Sequence, residues 1–339
     1  MPNVRVAVDV MGGDEAPAAQ LEGARRAAAA GIPILLVGDP DGMPDPAAAR
    51  SIGPWWIARE VVAMDGGAEA CRRTPDASIR RCMVAVREGQ ATSVVSAGNS
   101  GATMVSAVID LGMLPGVDRP AIVVTLPRAD GGVVFLLDAG ATVECRPDHL
   151  AQFATLGGAW ARAMGVAQPR VGLLSNGVEL HKGTRLVRET DALLRGSPGY
   201  VGQVEPHVAL FTGVDVLVAD GFSGNVMLKT AEGIVALLKE TFLRELSHAP
   251  EAAAAAPALA GVFEALRLRV DWRARGGALL VGAAAPVVIA HGRADAAAVD
   301  AAIRLAHYAS EVGLVDDVRD AVAGARLREA SAGPSGVAP

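Results

Sequence analysis

Four short glycine-rich loops carry most of the residues that could bind a small ligand. Each follows an apolar run of strand length; the loops are Asp9–Asp14, Ser96–Gly101, Asp138–Thr142 and Asp220–Asn225. Glycine lets the backbone approach a ligand closely, and the free N–H groups at the start of a helix attract anions. One such loop alone is typical of an ordinary turn. Four of them, at strand ends where open parallel sheets bind ligands, predict a phosphate site.

The predicted site residues come from these loops and from the rare lysines of the chain. Those expected to bind substrate or phosphate are Asp9, Gly12, Gly13, Asp14, Ser96, Gly98, Asn99, Ser100, Gly101, Gly140, Gly221, Ser223 and Gly224. We predict four catalytic residues, namely Lys182, Asn225, Lys229 and His291. The lysines would supply positive charge, and His291, which follows an apolar run, would assist proton balance. A lone histidine is often structural, and Asp9 and Asp14 are expected to orient loops or water.

Several common catalytic motifs do not occur in the sequence. There is no Gly-x-Gly-x-x-Gly fingerprint, and Lys182–Thr184 lacks the glycine that precedes the lysine of a phosphate-binding Walker loop. Gly98–Gly101 and Gly221–Gly224 are each one residue short of a serine-hydrolase elbow. The cysteines, Cys71, Cys82 and Cys145, form no Cys-x-x-Cys pair. We therefore predict neither a nucleotide site nor a serine hydrolase, and neither a disulfide framework nor a thiolate metal site.

The composition excludes further classes of protein. The net charge of -6 argues against binding to nucleic acid, because that task needs a basic face. Hydrophobic residues make up 51% of the chain, yet glycine or charge interrupts every apolar run well before the roughly 20 residues that span a membrane. The first residues enter a β-branched run without the regions of a secretory signal. We expect a cytoplasmic protein.

Short apolar runs alternate with longer Ala-rich helical patterns along the chain. The strand candidates are 4–10, 34–37, 93–96, 121–126, 133–138, 170–174, 214–218 and 286–290. The helical patterns cover 16–30, 72–87, 102–111, 148–164, 184–194, 226–246 and 295–312, and Asp148 and Asp295 are the expected N-caps. This alternation predicts an α/β fold with a mostly parallel sheet flanked by helices. We expect residues 1–326 to form one catalytic unit and residues 327–339 a disordered tail.

A helical hairpin insertion is predicted at about 237–275, projecting from the body of the protein. The apolar residues on one face of its second helix are Leu259, Val262, Phe263, Leu266 and Val270. Arginines lie close to this face, so a partner or a membrane surface could cover it. Packing against its own hairpin or a second subunit is the simpler interpretation.

Taken in order, the motifs resemble the phosphate acyltransferase family from about residue 4 to 312. The matching segments are Val8–Asp14, Ser96–Ala102, Arg119–Ala121, Asp220–Gly233 and Ala290–Gly292. The resemblance implies a homodimeric enzyme with an isocitrate and isopropylmalate dehydrogenase-like fold, related also to phosphate acetyltransferase. It implies transfer of a fatty acyl group from an acyl carrier protein thioester to inorganic phosphate, giving acyl phosphate for phospholipid synthesis, without a cofactor or metal. It also implies peripheral contact with the membrane through the hairpin.

Three loops depart from the family pattern and leave other activities open. Thr74–Ser78 replaces a basic loop, Ser175 replaces an Asn and Thr142 replaces an Asn. The alternatives are a diverged paralogue with another acyl donor or acceptor, an acyl thioesterase that needs no phosphate, and a non-catalytic scaffold. A metal-dependent dehydrogenase ranks last, because neither a carboxylate cluster nor a nicotinamide pocket can be assembled from the spacing.

Overall fold

The computed structural model describes residues 5–211, 213–248, 257–258, 260–262, 264–265, 268–269 and 276–332. The strands among them are β1 (Val6–Asp9), β2 (Ile34–Gly38), β3 (Trp55–Ile57), β4 (Ser93–Ser96), β5 (Ala121–Pro127), β6 (Val133–Leu137), β7 (Val171–Leu174), β8 (Tyr200–Val204), β9 (Val216–Val218), β10 (Ala278–Val281) and β11 (Val287–Ile289). The helices are α1 (Ala18–Ala29), α2 (Pro46–Ile52), α3 (Gly67–Arg73), α4 (Ser78–Arg87), α5 (Ser100–Ser106), α6 (Pro147–Ala163), α7 (Arg185–Leu194), α8 (Pro206–Ala209), α9 (Gly221–Ser247), α10 (Ala296–Glu311) and α11 (Leu314–Ala332). A 3₁₀ turn covers Pro40–Gly42, and a π-helical turn, Ala107–Leu111, extends α5.

One sheet joins all of these strands in the order β3-β2-β1-β4-β11-β10-β5-β6-β9-β7-β8. The first half-sheet, β3 to β11 in this order, is parallel, and so is the second half-sheet, β6 to β8. Between them, β10 is antiparallel to both neighbours and β5 is antiparallel to β6. The predicted α/β fold with a mostly parallel sheet is therefore confirmed. Because three antiparallel pairings separate β11 from β6, the two half-sheets direct their carboxyl ends oppositely.

Helices cover both faces of the sheet, which explains its continuous apolar strands. Every residue of β1, β4 and β9 is buried, as expected for strands between two helical layers. On one face, the ring of Phe135 in β6 meets Trp160 in α6 edge to face, with centroids 6.0 Å apart. Gly157 lets α6 approach the sheet, since a Cβ there would lie 2.6 Å from Val216 and 2.7 Å from Leu137 side-chain atoms.

The element boundaries differ from the sequence prediction in several places. Strands β3, β8 and β10 were not predicted; β3 spans only Trp55–Ile57, and Gly202 interrupts the apolar pattern of β8. The helix predicted over 72–87 is broken at Thr74–Ala77, where Pro75 prevents continuation, and α2 lies where no helix was predicted. Asp295 caps α10 by accepting the Ala298 N–H, as predicted. Asp148 was the wrong N-cap for α6, because the helix begins at Pro147 and its N-cap is Arg146.

Helix α9 extends well beyond the sheet. Its second half exposes large apolar side chains, among them Leu237, Leu238, Phe242 and Leu243. The return segment of the predicted hairpin falls mostly outside the described residues. At the other end of the chain, α11 continues to Ala332, so residues 327–332, predicted to start a disordered tail, are helical; Ala, Glu, Leu and Arg there favour a helix. Among the described helices, none is long and apolar enough to cross a membrane.

Candidate active site

The predicted site residues fall into two groups at the carboxyl ends of the two half-sheets. The first loop group contains residues 9–14, 96–101 and 291–293, which follow β1, β4 and β11. The second loop group contains residues 138–145 and 220–225, which follow β6 and β9. Lys182 lies in the loop after β7, the strand next to β9. Because the half-sheets point in opposite directions, the two loop groups lie at the ends of oppositely directed strands, and the local sequence alone does not place them side by side.

A buried carboxylate holds the first loop group in shape. Asp9 Oδ1 accepts the N–H groups of Met11 and Gly12, each at 3.1 Å, and Oδ2 accepts the Ser96 hydroxyl at 2.8 Å. The Ser96 oxygen in turn accepts the Gly98 N–H. Burial raises the pKa of Asp9, and these hydrogen bonds oppose that rise. Asp9 is only 1% exposed and Ser96 is fully buried, and their hydrogen bonds hold the two loops together.

The backbones of the first two loops approach each other closely. A Cβ at Gly12 would lie 2.9 Å from the Gly98 Cα, so this contact requires glycine. Asn99 fixes the start of α5: its Oδ1 accepts the Ala102 N–H, and its Nδ2 donates to the Met64 carbonyl. Its amide group is thus committed to the loop. Ser100 is exposed, as is Asp14 of the neighbouring loop.

His291 joins the first loop group through the third of its loops. Its Nδ1 accepts the Arg293 N–H at 3.1 Å, which selects the tautomer with the proton on Nε2. The neighbouring Gly292 carbonyl accepts the Asp14 N–H at 2.7 Å, and Arg293 pairs with the Asp14 carboxylate at 3.9 Å. The structure therefore places His291 beside Asp14, with its ring proton on Nε2.

The second loop group is organised around Asp138, which was not among the predicted site residues. Its Oδ1 accepts the N–H groups of Ile122, Gly140 and Ala141, and its Oδ2 accepts that of Thr142. The side chain is fully buried, and burial raises its pKa against the effect of these donors. Asp138 therefore does for the loop after β6 what Asp9 does for the loop after β1. The shared pattern, an Asp at a strand end before a glycine loop, was visible in the sequence.

The N–H groups of Gly221, Ser223 and Gly224, at the start of α9, donate hydrogen bonds within the protein. Asp220 accepts both the Ser223 N–H and the Ser223 hydroxyl, at 2.9 and 2.7 Å. The Gly221 N–H donates to the Thr142 carbonyl, and the Gly224 N–H donates to the Asp220 carbonyl. The Asp220 N-cap therefore occupies both Ser223 donors, the N–H and the hydroxyl, in this structure. Gly221 and Gly224 serve close packing, since a Cβ on Gly224 would overlap the Asp138 carbonyl oxygen.

The three remaining predicted catalytic residues lie in the second half of the chain. Asn225 is exposed and lies against Gly140, whose Cβ position would be 3.7 Å from the Asn225 side chain. Gly140 has φ +135°, a conformation that favours glycine. Lys229 lies one helical turn after Asn225 on α9 and pairs with Glu232 at 2.9 Å. The stem of Lys182 packs over Gly177 in the loop after β7.

Cys145 is the cysteine of the second loop group, and its thiol is expected to resist alkylation in the folded protein. The thiol donates to the Thr142 carbonyl, and burial raises its pKa to about 12. At neutral pH its reactive thiolate should be about 1000-fold rarer than at an ordinary cysteine. Peptide mass mapping after iodoacetamide treatment should find Cys145 unmodified in the folded chain and modified in urea. Rapid modification of the folded chain would instead indicate an activated nucleophile.

Solved structures share this architecture at low sequence identity. A phosphotransacetylase from Streptococcus pyogenes superposes with a TM-score of 0.61 at 16% identity, covering 91% of this chain and 94% of that one. A branched-chain phosphotransacylase from Enterococcus faecalis V583 gives 0.59 at 14%, covering 90% and 98%. A 4-hydroxythreonine-4-phosphate dehydrogenase from Klebsiella pneumoniae gives 0.51 at 14%, covering 90% and 99%. The chain thus has the fold of the phosphotransacylases, which dehydrogenases share.

Sequence similarity narrows this class to one family. The family model described as fatty acid synthesis protein matches residues 4–316. A phosphate acyltransferase from Anaeromyxobacter sp. (strain Fw109-5) is 45% identical over 337 residues, covering 97% of this chain and 94% of that protein. One from Myxococcus xanthus (strain DK1622) is 46% identical over 328 residues, covering 92% and 91%. The chain belongs to this family of phosphate acyltransferases, which confirms the resemblance found in its motifs.

Proposed function

We propose that the chain transfers a fatty acyl group from an acyl carrier protein thioester to inorganic phosphate, and that the acyl phosphate enters phospholipid synthesis. The observation that carries this proposal is the match to phosphate acyltransferases over more than nine-tenths of the chain. The glycine-rich strand ends and their exposed polar groups support it, because they suit a small oxyanion.

The reaction needs no nucleophilic side chain, because phosphate supplies the attacking oxygen. The phosphate oxygen forms a bond to the carbonyl carbon of the thioester, and the π electrons of the C=O bond move onto the carbonyl oxygen. When the carbonyl reforms, the C–S bond breaks and the thiolate leaves to take up a proton. The enzyme must hold phosphate in line and stabilise the transient oxyanion. A protonated Cys145 thiol agrees with this direct transfer.

The exposed polar groups of both loop groups have distinct roles in this proposal. Ser100 and the Nε2–H of His291 donate to phosphate or to the oxyanion from the first loop group. Asn225 and Lys229 supply an amide and a positive charge from the second, and Lys182 adds charge from the loop after β7. Lys229 would exchange its present partner Glu232 for the substrate anion. Asp9, Ser96 and Asp138 act by keeping the loops in place.

The proposal includes a cytoplasmic homodimer with peripheral membrane contact. The outer half of α9 supports this part, because isolated soluble subunits rarely leave so many large apolar side chains exposed on one helix. In this proposal, the return segment of the hairpin, a second subunit and the membrane surface together cover these apolar side chains.

Thiol release from acyl carrier protein thioesters, measured with and without inorganic phosphate, tests the proposed reaction. We expect release that depends on phosphate and an acyl phosphate that hydroxylamine traps as its hydroxamate. Donors of several chain lengths, together with the matching coenzyme A thioesters, identify the preferred substrate. Release without phosphate would indicate a thioesterase, and no release from any donor would contradict the proposed transfer.

A further inference from the structure

Two arginines beside the second loop group have no carboxylate partner among the residues that the structure describes. Most exposed arginines in the described residues form an ion pair, as Arg185 does with Glu189 and Arg304 with Asp300. Arg119 and Arg146 are exposed and form none within the part of the chain that the structure describes. Asp118 and Asp148 lie close to these arginines in the sequence, but neither carboxylate forms an ion pair with them in the described residues. Unpaired arginine beside a candidate site is typical of anion recognition.

The backbone places Arg119 directly beside the loop that Asp138 organises. Arg119 comes two residues before β5, and the Ile122 N–H in that strand donates to Asp138 Oδ1. The Ile122 carbonyl accepts the Ala139 N–H, so the start of β5 and the 138–142 loop form one hydrogen-bonded unit. From the other side, Gln152 of α6 accepts the Asp118 N–H at 2.9 Å and donates to the Gly116 carbonyl at 2.8 Å. The segment carrying Arg119 is thereby fixed on both sides.

The charge of Arg119 influences the pKa values of two neighbouring side chains, His149 and Cys145. Burial lowers the pKa of His149, and the charges of Arg146 and Arg119 lower it further against Asp118 and Asp148. Burial raises the pKa of Cys145, and the charge of Arg119 opposes that rise. The Cys145 thiol donates to the Thr142 carbonyl of the same loop. His149 is buried, and its Nδ1 accepts the Arg146 N–H at 3.3 Å, so its remaining proton is on Nε2. The patch thus combines two guanidinium groups with a neutral histidine.

We propose that Arg119 and Arg146 form a subsite for a phosphate group at the edge of the second loop group, with Arg119 as its main ligand. This inference rests on the proposed acyl transfer and extends it to residues outside the predicted site. The phosphate is either the inorganic acceptor or the phosphodiester of the donor's phosphopantetheine arm. The planar guanidinium suits either, because it donates two parallel hydrogen bonds to a pair of phosphate oxygens.

Calorimetric titration of the full chain with inorganic phosphate and, separately, with phosphopantetheine tests the subsite. Arg119→Ala should weaken binding of one of these probes by about tenfold to 100-fold, the range for a lost hydrogen bond to a charged group. Arg119→Lys keeps the charge and should give an intermediate loss. Arg162→Ala is the matched control, because Arg162, near the other end of α6, is also an exposed arginine that forms no ion pair with any residue described by the structure. It should bind both probes like the unmodified chain.

Which probe is affected decides the source of the phosphate. Weaker binding of inorganic phosphate assigns the subsite to the acceptor, and weaker binding of phosphopantetheine assigns it to the donor. Unchanged binding of both probes by Arg119→Ala, or an equal loss in Arg162→Ala, would overturn the subsite. Because binding is measured without turnover, this outcome is separate from that of the thiol-release assay. A chain that binds phosphate through Arg119 but releases no thiol would keep the subsite and refute the proposed reaction.

Discussion

Replacing Gly224 with alanine is expected to lower kcat/KM by about 100-fold, the scale for catalytic groups displaced by an ångström. The added Cβ would overlap the carbonyl oxygen of Asp138 and approach the Ala139 Cα. Both neighbours are backbone and cannot rotate away, so the first turn of α9 must shift from the 138–142 loop. Asn225 would move with it. Overpacking of this kind should also lower the free energy of unfolding by about 1–3 kcal/mol.

Gly233→Ala is the matched control, because Gly233 lies on the same helix and a Cβ there would meet nothing within 4 Å. That variant should keep full activity and gain up to about 1 kcal/mol of stability from the better helix former. Steady-state kinetics and urea unfolding of both variants provide the comparison. Wild-type kcat/KM in Gly224→Ala would show that the contact between α9 and the Asp138 loop does not position the site.

The sequence predicted the core strands of the sheet and the loops at their ends because both have strong local signals. Runs of β-branched and other apolar residues identify buried strands, and glycine next to Asp or Asn identifies the turns after them. Among the strands that were missed, β3 spans only Trp55–Ile57, and Gly202 interrupts the apolar pattern of β8. The relative direction of the two half-sheets has no local signal, since it depends on how β10 and β5 pair.

Individual site residues were harder to predict than the loops that contain them. Ser223 was assigned to phosphate because it begins a helix, yet Asp220 three residues earlier is a strong capping residue and takes those donors. Asp9 and Asp138 show the same competition: a buried carboxylate satisfies loop N–H groups that a ligand could otherwise use. The pattern of a loop therefore predicts its place at the site, and its own hydrogen bonds decide which groups remain for a ligand.

Replacing Asp138 with asparagine is expected to destabilise the protein by about 2–3 kcal/mol, as for a buried donor left without its charged acceptor. One carboxylate oxygen becomes an NH₂ group, which cannot accept a hydrogen bond from the backbone. If Oδ1 is retained, the Thr142 N–H loses its acceptor; if the amide is reversed, Ile122, Gly140 and Ala141 lose theirs. Either arrangement loosens the loop beneath Asn225, so kcat should also fall by about 100-fold.

Asp45→Asn provides the control for this substitution. Asp45 is an exposed N-cap that accepts the Ala48 N–H at 2.9 Å, and asparagine caps a helix about equally well. Urea unfolding and steady-state kinetics well below the unfolding temperature should show no change in this variant. A lower kcat in folded Asp138→Asn, with the control unaffected, would show that the loop is mispositioned in the folded protein. It would exclude a smaller amount of folded protein as the cause. Unaltered kcat in folded Asp138→Asn would mean that the 138–142 loop does not contribute to the reaction, and would leave the first loop group to hold the reacting phosphate.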